Sequence, residues 1–265
     1  MKLVSKVSLL AFITVVGLTG CGEKEESVIK VGATVGPHAQ VVEAVAKQAE
    51  QHGLKVQVIE FSDYVTPNAA LDDGSIDINS YQHQPFLDSF NQNHGTELVS
   101  IGRSILMRMG LYSNKYRTLD ALPEKARIAI PNDPTNGGRG LLLLADAGVI
   151  TLKEGVGYAA MLTDVVDNPK QFEFIEVDAA QLPRTLDDVD AAAITMNYVM
   201  SSGLDPQKQS IYLESTDAPL AVMVIATRKG EETKPEYQQF VEIFQSQETK
   251  AFLAKQFGST IEAAF

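Results

Sequence analysis

The chain has 265 residues, with 22 Lys and Arg against 34 Asp and Glu and a formal charge of −12. That sign argues against nucleic acid, whose phosphates need a cationic surface, and against electrostatic adhesion to an anionic membrane. Its one cysteine, Cys21, can form neither an internal disulfide nor a thiolate metal cluster.

The chain opens with Lys2 and Lys6 and no acid before an apolar run over 7–16, then Leu18-Thr19-Gly20-Cys21. A positive start, a short apolar core and small residues at a boundary describe a secretory signal. The run is short for a membrane span, which needs ~20 residues. A buried first helix or an uncleaved anchor is the alternative. The ending resembles a bacterial lipobox, in which Cys21 is lipidated and becomes the first residue. Two acyl chains give stable anchoring where one is marginal. Cleavage would remove Lys2 and Lys6 and take the charge from −12 to −14. Residues 22–27 (GEKEES) then read as a polar tether.

Residues 28–34 alternate as a strand, and Pro37 opens a helix through residue 52 that Gly53 stops. A strand follows at 54–61, a short helix after Pro67, a strand at 76–80, a helix from Pro85 to Gly95, and strands at 98–101 and 105–112. A second series has strands at 127–130, 172–177, 191–195, 211–213 and 220–227. Its helices are expected at 138–148, 181–188 and from 197, with amphipathic helices at 235–245 and 248–256. The β-α alternation predicts an α/β fold.

Leu71-Asp72-Asp73-Gly74-Ser75-Ile76-Asp77 is echoed by Leu186-Asp187-Asp188-Val189-Asp190-Ala191. Each leads through a strand to a polar-aromatic loop, Ser80-Tyr81-Gln82-His83 and Thr195-Met196-Asn197-Tyr198. Two similar lobes, each sending such a loop into a shared cleft, are expected, since ligands bind outside the carboxyl ends of strands. The apolar strands 105–112 and 220–227 are candidate crossings, and two crossings make a hinge. This assigns 28–112 plus 219–265 to lobe 1 and 113–218 to lobe 2, after a signal at 1–20 and a tether at 21–27.

Asn132-Asp133-Pro134-Thr135-Asn136-Gly137-Gly138-Arg139-Gly140 reads as a glycine-rich turn from strand to helix, where N–H groups can approach an anion. Arg139 in the first turn would oppose the helix dipole, so it needs a negative partner. That partner is either a ligand carboxylate gripped by the guanidinium fork or an acid of the chain such as Asp133. No lysine follows the glycines and GxGxxG spacing is absent, so neither a P-loop nor a dinucleotide site fits. Tyr64, Tyr81, His83 and Phe86 at strand ends can wall a pocket, or serve as ordinary packing residues. His38 and His83 could converge on a metal, but HExxH, CxxC and a His tract are lacking. No GxSxG or triad order stands out. No catalytic residue and no cofactor is assigned, and the chain is read as a binding protein rather than an enzyme.

Val31-Gly32, Ser62-Asp63-Tyr64-Val65-Thr66-Pro67-Asn68, Tyr81-Gln82-His83-Gln84-Pro85-Phe86-Leu87, Pro131-Asn132-Asp133-Pro134-Thr135-Asn136-Gly137-Gly138-Arg139 and Gln181-Leu182-Pro183-Arg184 are long, ordered motifs. With the Cys21 lipobox they resemble the methionine-binding lipoproteins, the substrate-binding components of methionine ABC importers. The resemblance runs from about Val28 to the C-terminus. It implies a periplasmic-binding-protein fold of type II, with two α/β lobes joined by two hinge crossings and closing on a ligand. It further implies that Arg139 holds the ligand carboxylate with Asn136 beside it, that Tyr64, Tyr81 and His83 wall the side-chain pocket, and that Asn197 and Tyr198 lie on the second-lobe loop. Arg139→Ala should then abolish binding with folding nearly intact.

Two positions depart from the family's pattern: Thr195, where an amide is usual, and the 220–223 strand, which lacks an Asn. The implied ligand is methionine or a related small carboxylate. A metal ion or an anion without an α-amino group is the alternative. The implied partners are an ABC permease with its ATPase and, through the lipid anchor, a membrane. The protein itself would be a monomer in the bacterial envelope, facing the periplasm or cell exterior.

Overall fold

The computed structural model describes residues 28–265. The signal, Cys21 and the tether lie outside the described residues. The first part runs β1 (Val28–Thr34), α1 (Pro37–Gln51), β2 (Lys55–Phe61), α2 (Thr66–Asp72), β3 (Ile78–His83), α3 (Gln84–His94) and β4 (Leu98–Leu106). Then come β5 (Met109–Tyr112), β6 (Arg127–Pro131), α4 (Pro134–Asp146), β7 (Thr151–Leu152), β8 (Val165–Asp167), β9 (Glu173–Val177) and α5 (Leu182–Thr185). The chain continues through β10 (Ala191–Thr195), α6 (Met196–Ser201), α7 (Pro206–Gln209) and β11 (Ser210–Leu213) to β12 (Val222–Arg228), α8 (Pro235–Phe244), α9 (Gln247–Phe257) and β13 (Glu262–Ala263).

Two sheets organise two α/β lobes. The first has the order β13-β4-β12-β3-β1-β2, the second β11-β5-β10-β6-β9. In the first, β1 pairs parallel with β2 and β3, while β12 runs antiparallel between β3 and β4. In the second, β10 lies between parallel β6 and antiparallel β5. Helix α1 lays Val41, Val42, Val45 and Ala49 on the first sheet, with Pro37 preset for its opening turn. The main apolar core runs through both lobes, from Val31 and Val45 to Ile194 and Val199.

The chain crosses between sheets twice. Expected as one strand, 105–112 is broken after Leu106, and Met109–Tyr112 joins the second sheet rather than the first. The return runs from Leu213 to Val222. The crossings lie side by side: Met107 N–H donates to Ala221 O (2.7 Å), and Glu214 N–H to Met109 O (3.0 Å).

Strand β3 reaches His83, three residues beyond the expected end, and is buried throughout. Its polar residues are tolerated because they bond one another and α2. Asn68 Nδ2 donates to Gln82 Oε1 (2.7 Å), Asn79 Nδ2 to Asn68 Oδ1 (2.9 Å) and Gln82 Nε2 to Asn79 Oδ1 (3.0 Å).

The glycine-rich segment also differs from expectation. Helix α4 begins at Pro134 rather than at 138, so Gly137 lies inside it with Gly138 and Gly140, and the turn before it holds no glycine. Each permits close packing. A Cβ on Gly137 would stand 2.8 Å from Pro131 O, and one on Gly138 2.0 Å from Tyr158 O. Asp133 caps the helix, its carboxylate accepting Asn136 N–H at 2.8 Å. The acid of the chain, not an external anion, therefore occupies this helix start.

Candidate functional site

A narrow cavity lies between the lobes, with about 340 Å³ of space around it that protein atoms do not fill. The first lobe contributes Tyr64 after β2, Tyr81 and His83 from β3, and Phe86 from the first turn of α3. The second contributes Asn136 and Arg139 from α4 and Asn197 from α6. Six of the seven residues expected at a ligand site thus line one cavity. The seventh, Tyr198, lies beside it, its ring 4.7 Å from that of Tyr64.

Polar bridges tie the lobes together around this space. The Tyr64 and Thr195 hydroxyls share a hydrogen bond of 2.9 Å, and Tyr198 OH reaches Ser62 O at 3.4 Å. Phe86 N–H donates to His83 Nδ1 (3.1 Å), so the ring proton sits on Nε2 and is donated to Asn136 Oδ1 (3.2 Å). Asn136 Nδ2 in turn donates to both oxygens of Asp133, at 3.1 and 3.0 Å. Burial holds the Tyr64 and Tyr81 phenols above their ordinary range, so both stay neutral.

Arg139 is 2% exposed and has an internal partner, and that partner is Glu214 rather than Asp133. Nε donates to Glu214 Oε1 (2.9 Å), and Nη2 donates to Glu214 Oε2 (2.5 Å) and to Met107 O (2.9 Å). Glu214 Oε2 also accepts Met109 N–H at 2.9 Å. These bonds tie the guanidinium to both crossings. They use Nε and Nη2 and leave Nη1.

Several participants escaped the residue-by-residue reading. Glu214 was missed outright, although a lone acid closing the apolar run Ile211-Tyr212-Leu213 was a usable signal. His38, weighed only as a metal ligand, lines the cavity beside Asn197. His38 Nδ1 and both amide atoms of Asn197 are buried without a hydrogen-bond partner in the protein. Buried polar atoms without partners are costly, and a ligand is the natural partner inside a cavity. Met107, Met196 and Met223 supply an apolar wall whose unbranched chains adapt to ligand shape. Gly36 lets α1 start against α6: its φ is +94°, and a Cβ there would sit 2.9 Å from Ser201 Cβ. As for a metal, both nitrogens of His83 are engaged, and no cluster of three or more His, Cys, Asp or Glu able to hold an ion occurs among the described residues.

Burial lowers the pKa of both His38 and His83 from 6.5 to about 3, with the nearby Arg139 charge adding to the effect at His83. Between those values the unfolded chain binds protons that the folded chain does not. Stability is therefore complete above about pH 6.5 and falls as the pH drops toward 3. Each histidine is expected to cost about 2 kcal/mol by pH 5. Urea unfolding at pH 7.5 and 5 should show this loss, and His83→Gln or His38→Asn should flatten it. An unchanged pH slope in both variants would refute the assignment.

The chain is similar to known proteins over most of its length. The sequence profile of the NlpA lipoprotein family matches residues 29–265. A probable D-methionine-binding lipoprotein MetQ from Vibrio cholerae is 43% identical over 250 residues, covering 93% of each chain. Lipoprotein 28 from Escherichia coli is 40% identical over 87% of this chain and 86% of its own. Among solved structures, a nutrient-binding protein from Burkholderia cenocepacia bound to methionine superposes with a TM-score of 0.86. It is 46% identical and covers 89% of this chain and 100% of its own. With a profile match over 29–265 and two α/β lobes of the periplasmic-binding-protein type, the chain belongs to the NlpA lipoprotein family.

Proposed function

We propose that this chain is the lipid-anchored substrate-binding protein of an ABC importer and that it encloses methionine or a closely related amino acid between its lobes. The carrying observation is a narrow interlobe cavity lined by aromatic and methionine side chains together with Asn197 and His38, whose polar atoms are unmet. The relatives named for D-methionine binding and the methionine-bound neighbour support that ligand. Arg139 Nη1 would meet the carboxylate, with Asn136 beside it. Asn197 would offer an acceptor to the ammonium, and Tyr64, Tyr81 and His83 would surround the thioether. Tyr198 would brace Tyr64. Closure then depends on the ligand touching both lobes, because only its differential affinity for the closed state drives the change.

Cys21 would carry the anchor on the outer side of a bacterial membrane, and a monomer would present both lobe rims to the permease. The residues before Val28 would tether lobe 1, formed by the six-stranded sheet, while lobe 2 carries the five-stranded one.

Isothermal titration with L- and D-methionine, beside native mass spectrometry of protein purified from its own host, tests this reading. A co-purified mass other than methionine, with no heat on methionine addition, would overturn it. Asn197→Leu is expected to weaken methionine binding by 1–3 kcal/mol, roughly 5- to 150-fold. Its thermal midpoint should change little, since the amide makes no well-formed hydrogen bond within the protein and only approaches the Tyr64 hydroxyl. Unchanged affinity would remove Asn197 from the site.

A second reading is favoured by one feature: no carboxylate lines the cavity to receive an ammonium. The ligand would then be an anion lacking an α-amino group, and titration with desamino-methionine distinguishes the two.

A further inference from the structure

Glu214 lies outside the cavity lining but holds the one cation within it. Its carboxylate takes the side of the Arg139 fork formed by Nε and Nη2, the geometry in which a guanidinium would otherwise grip an incoming carboxylate. The second Nη2 proton goes to Met107 O, so Nη1 alone remains for a ligand. Glu214 is itself fixed by Met109 N–H and by its own N–H on Met109 O, which pins it to the first crossing.

Other ionisable groups stand near the site: Arg108 between Met107 and Met109, and Asp63 and Asp133, whose charges act on the cavity tyrosines. His38 and His83 are neutral in the folded protein at neutral pH. Asp133 accepts the Asn136 amide and sits on the positive end of α4, which offsets part of its charge, although that charge still acts on Tyr64 and Tyr81. Tyr64 and Tyr81 are neutral phenols.

We propose that Glu214 is a specificity-determining residue: by occupying the Arg139 fork from behind it cancels the guanidinium charge, so the closed site selects a net-neutral zwitterion over a net anion. An unpaired arginine in a dry cavity would favour any small carboxylate, because charge is weakly screened there. With Glu214 in place, a ligand carboxylate meets a guanidinium already neutralised. A ligand ammonium compensates the added negative charge, and a desamino acid lacks that compensation. The placement also explains why both crossings converge on α4, since the group that sets the charge of the site is fixed by the backbone of the hinge. This inference rests on the reading of the ligand as an amino acid.

Glu214→Gln keeps the shape and removes the charge. Affinities for L-methionine and desamino-methionine are to be measured calorimetrically for wild type and variant. Wild type should prefer methionine, and in Glu214→Gln the ratio of the two dissociation constants should move toward the anion by about tenfold or more. A ratio that stays constant while both affinities fall would mark Glu214 as merely structural, and wild-type preference for the anion would also overturn the proposal.

If wild type binds neither compound, the methionine reading fails, and the fork assignment is judged separately with formate as the probe. Glu214→Ala vacates the fork, so formate should raise its unfolding midpoint more than that of wild type. Equal responses in the two proteins would overturn the assignment.

Discussion

Arg139→Ala is expected to destabilise the protein by about 3–5 kcal/mol as well as to abolish ligand binding, because it strands a buried carboxylate. The sequence alone led to the opposite expectation for folding, since a ligand clamp can be removed from an otherwise intact scaffold. The structure changes this in a specific way. Glu214 is 9% exposed, and the variant would leave its two oxygens with Met109 N–H as their remaining neighbour in this set of bonds. Met107 O would lose its donor at the same time. Urea unfolding should show the loss of stability, and the double variant Arg139→Met with Glu214→Leu should recover most of it without recovering binding. Recovery is expected because the cost lies in the unpaired charge and not in the absence of the pair. A single variant as stable as wild type would mean that Glu214 finds water or another donor when the guanidinium leaves.

The alternation of strand and helix was legible because each element carries its own period and its own stop signals. Pro37 and Gly53 bracket α1, and Gly95 closes α3 in a left-handed conformation. Long motifs pointed to Tyr64, Tyr81, His83, Asn136 and Arg139, and the polar-aromatic loop after β10 to Asn197, because an α/β fold presents side chains to its cleft around strand ends and helix starts. What failed to appear was set by contacts distant in sequence. Glu214 is 75 residues from Arg139, and no local spacing links them. Thr195, where the family pattern has an amide, instead pairs with Tyr64 from the other lobe. The break after Leu106 falls at Met107-Arg108, where a charged residue interrupts the apolar run, but nothing local says which sheet buries Met109–Tyr112. The glycines of α4 were misread for a related reason: glycine at a strand-helix junction marks an anion site only when backbone N–H groups are free, and here Asp133 caps the helix while the missing Cβ atoms admit neighbouring backbone.

That last point yields the second large effect. Gly138→Ala should destabilise the protein by about 3 kcal/mol or more, even though alanine is the better helix former by about 1 kcal/mol. The added Cβ would lie 2.0 Å from Tyr158 O, 2.8 Å from Tyr158 C and 3.1 Å from Ala160 O. All three are backbone atoms of the segment around Gly157–Ala159, so no side-chain rotation relieves the clash. Either that segment lifts from α4 or α4 shifts, and α4 carries Asn136 and Arg139 into the cavity. Ligand affinity should therefore fall together with stability. Gly140→Ala is the matched control: its Cβ would meet Ala193 Cβ at 3.3 Å and Ile130 Cγ2 at 3.5 Å, contacts that a shift of a few tenths of an ångström relieves. Helix propensity can offset that smaller strain, so this variant should unfold close to wild type. Thermal unfolding of the two variants side by side reads the difference directly, and equal midpoints would mean that the 157–160 backbone is not held against α4. If the order holds, the glycines of this helix are packing residues that position the arginine, and the electrostatic work of the site is done by Arg139 and Glu214 between them.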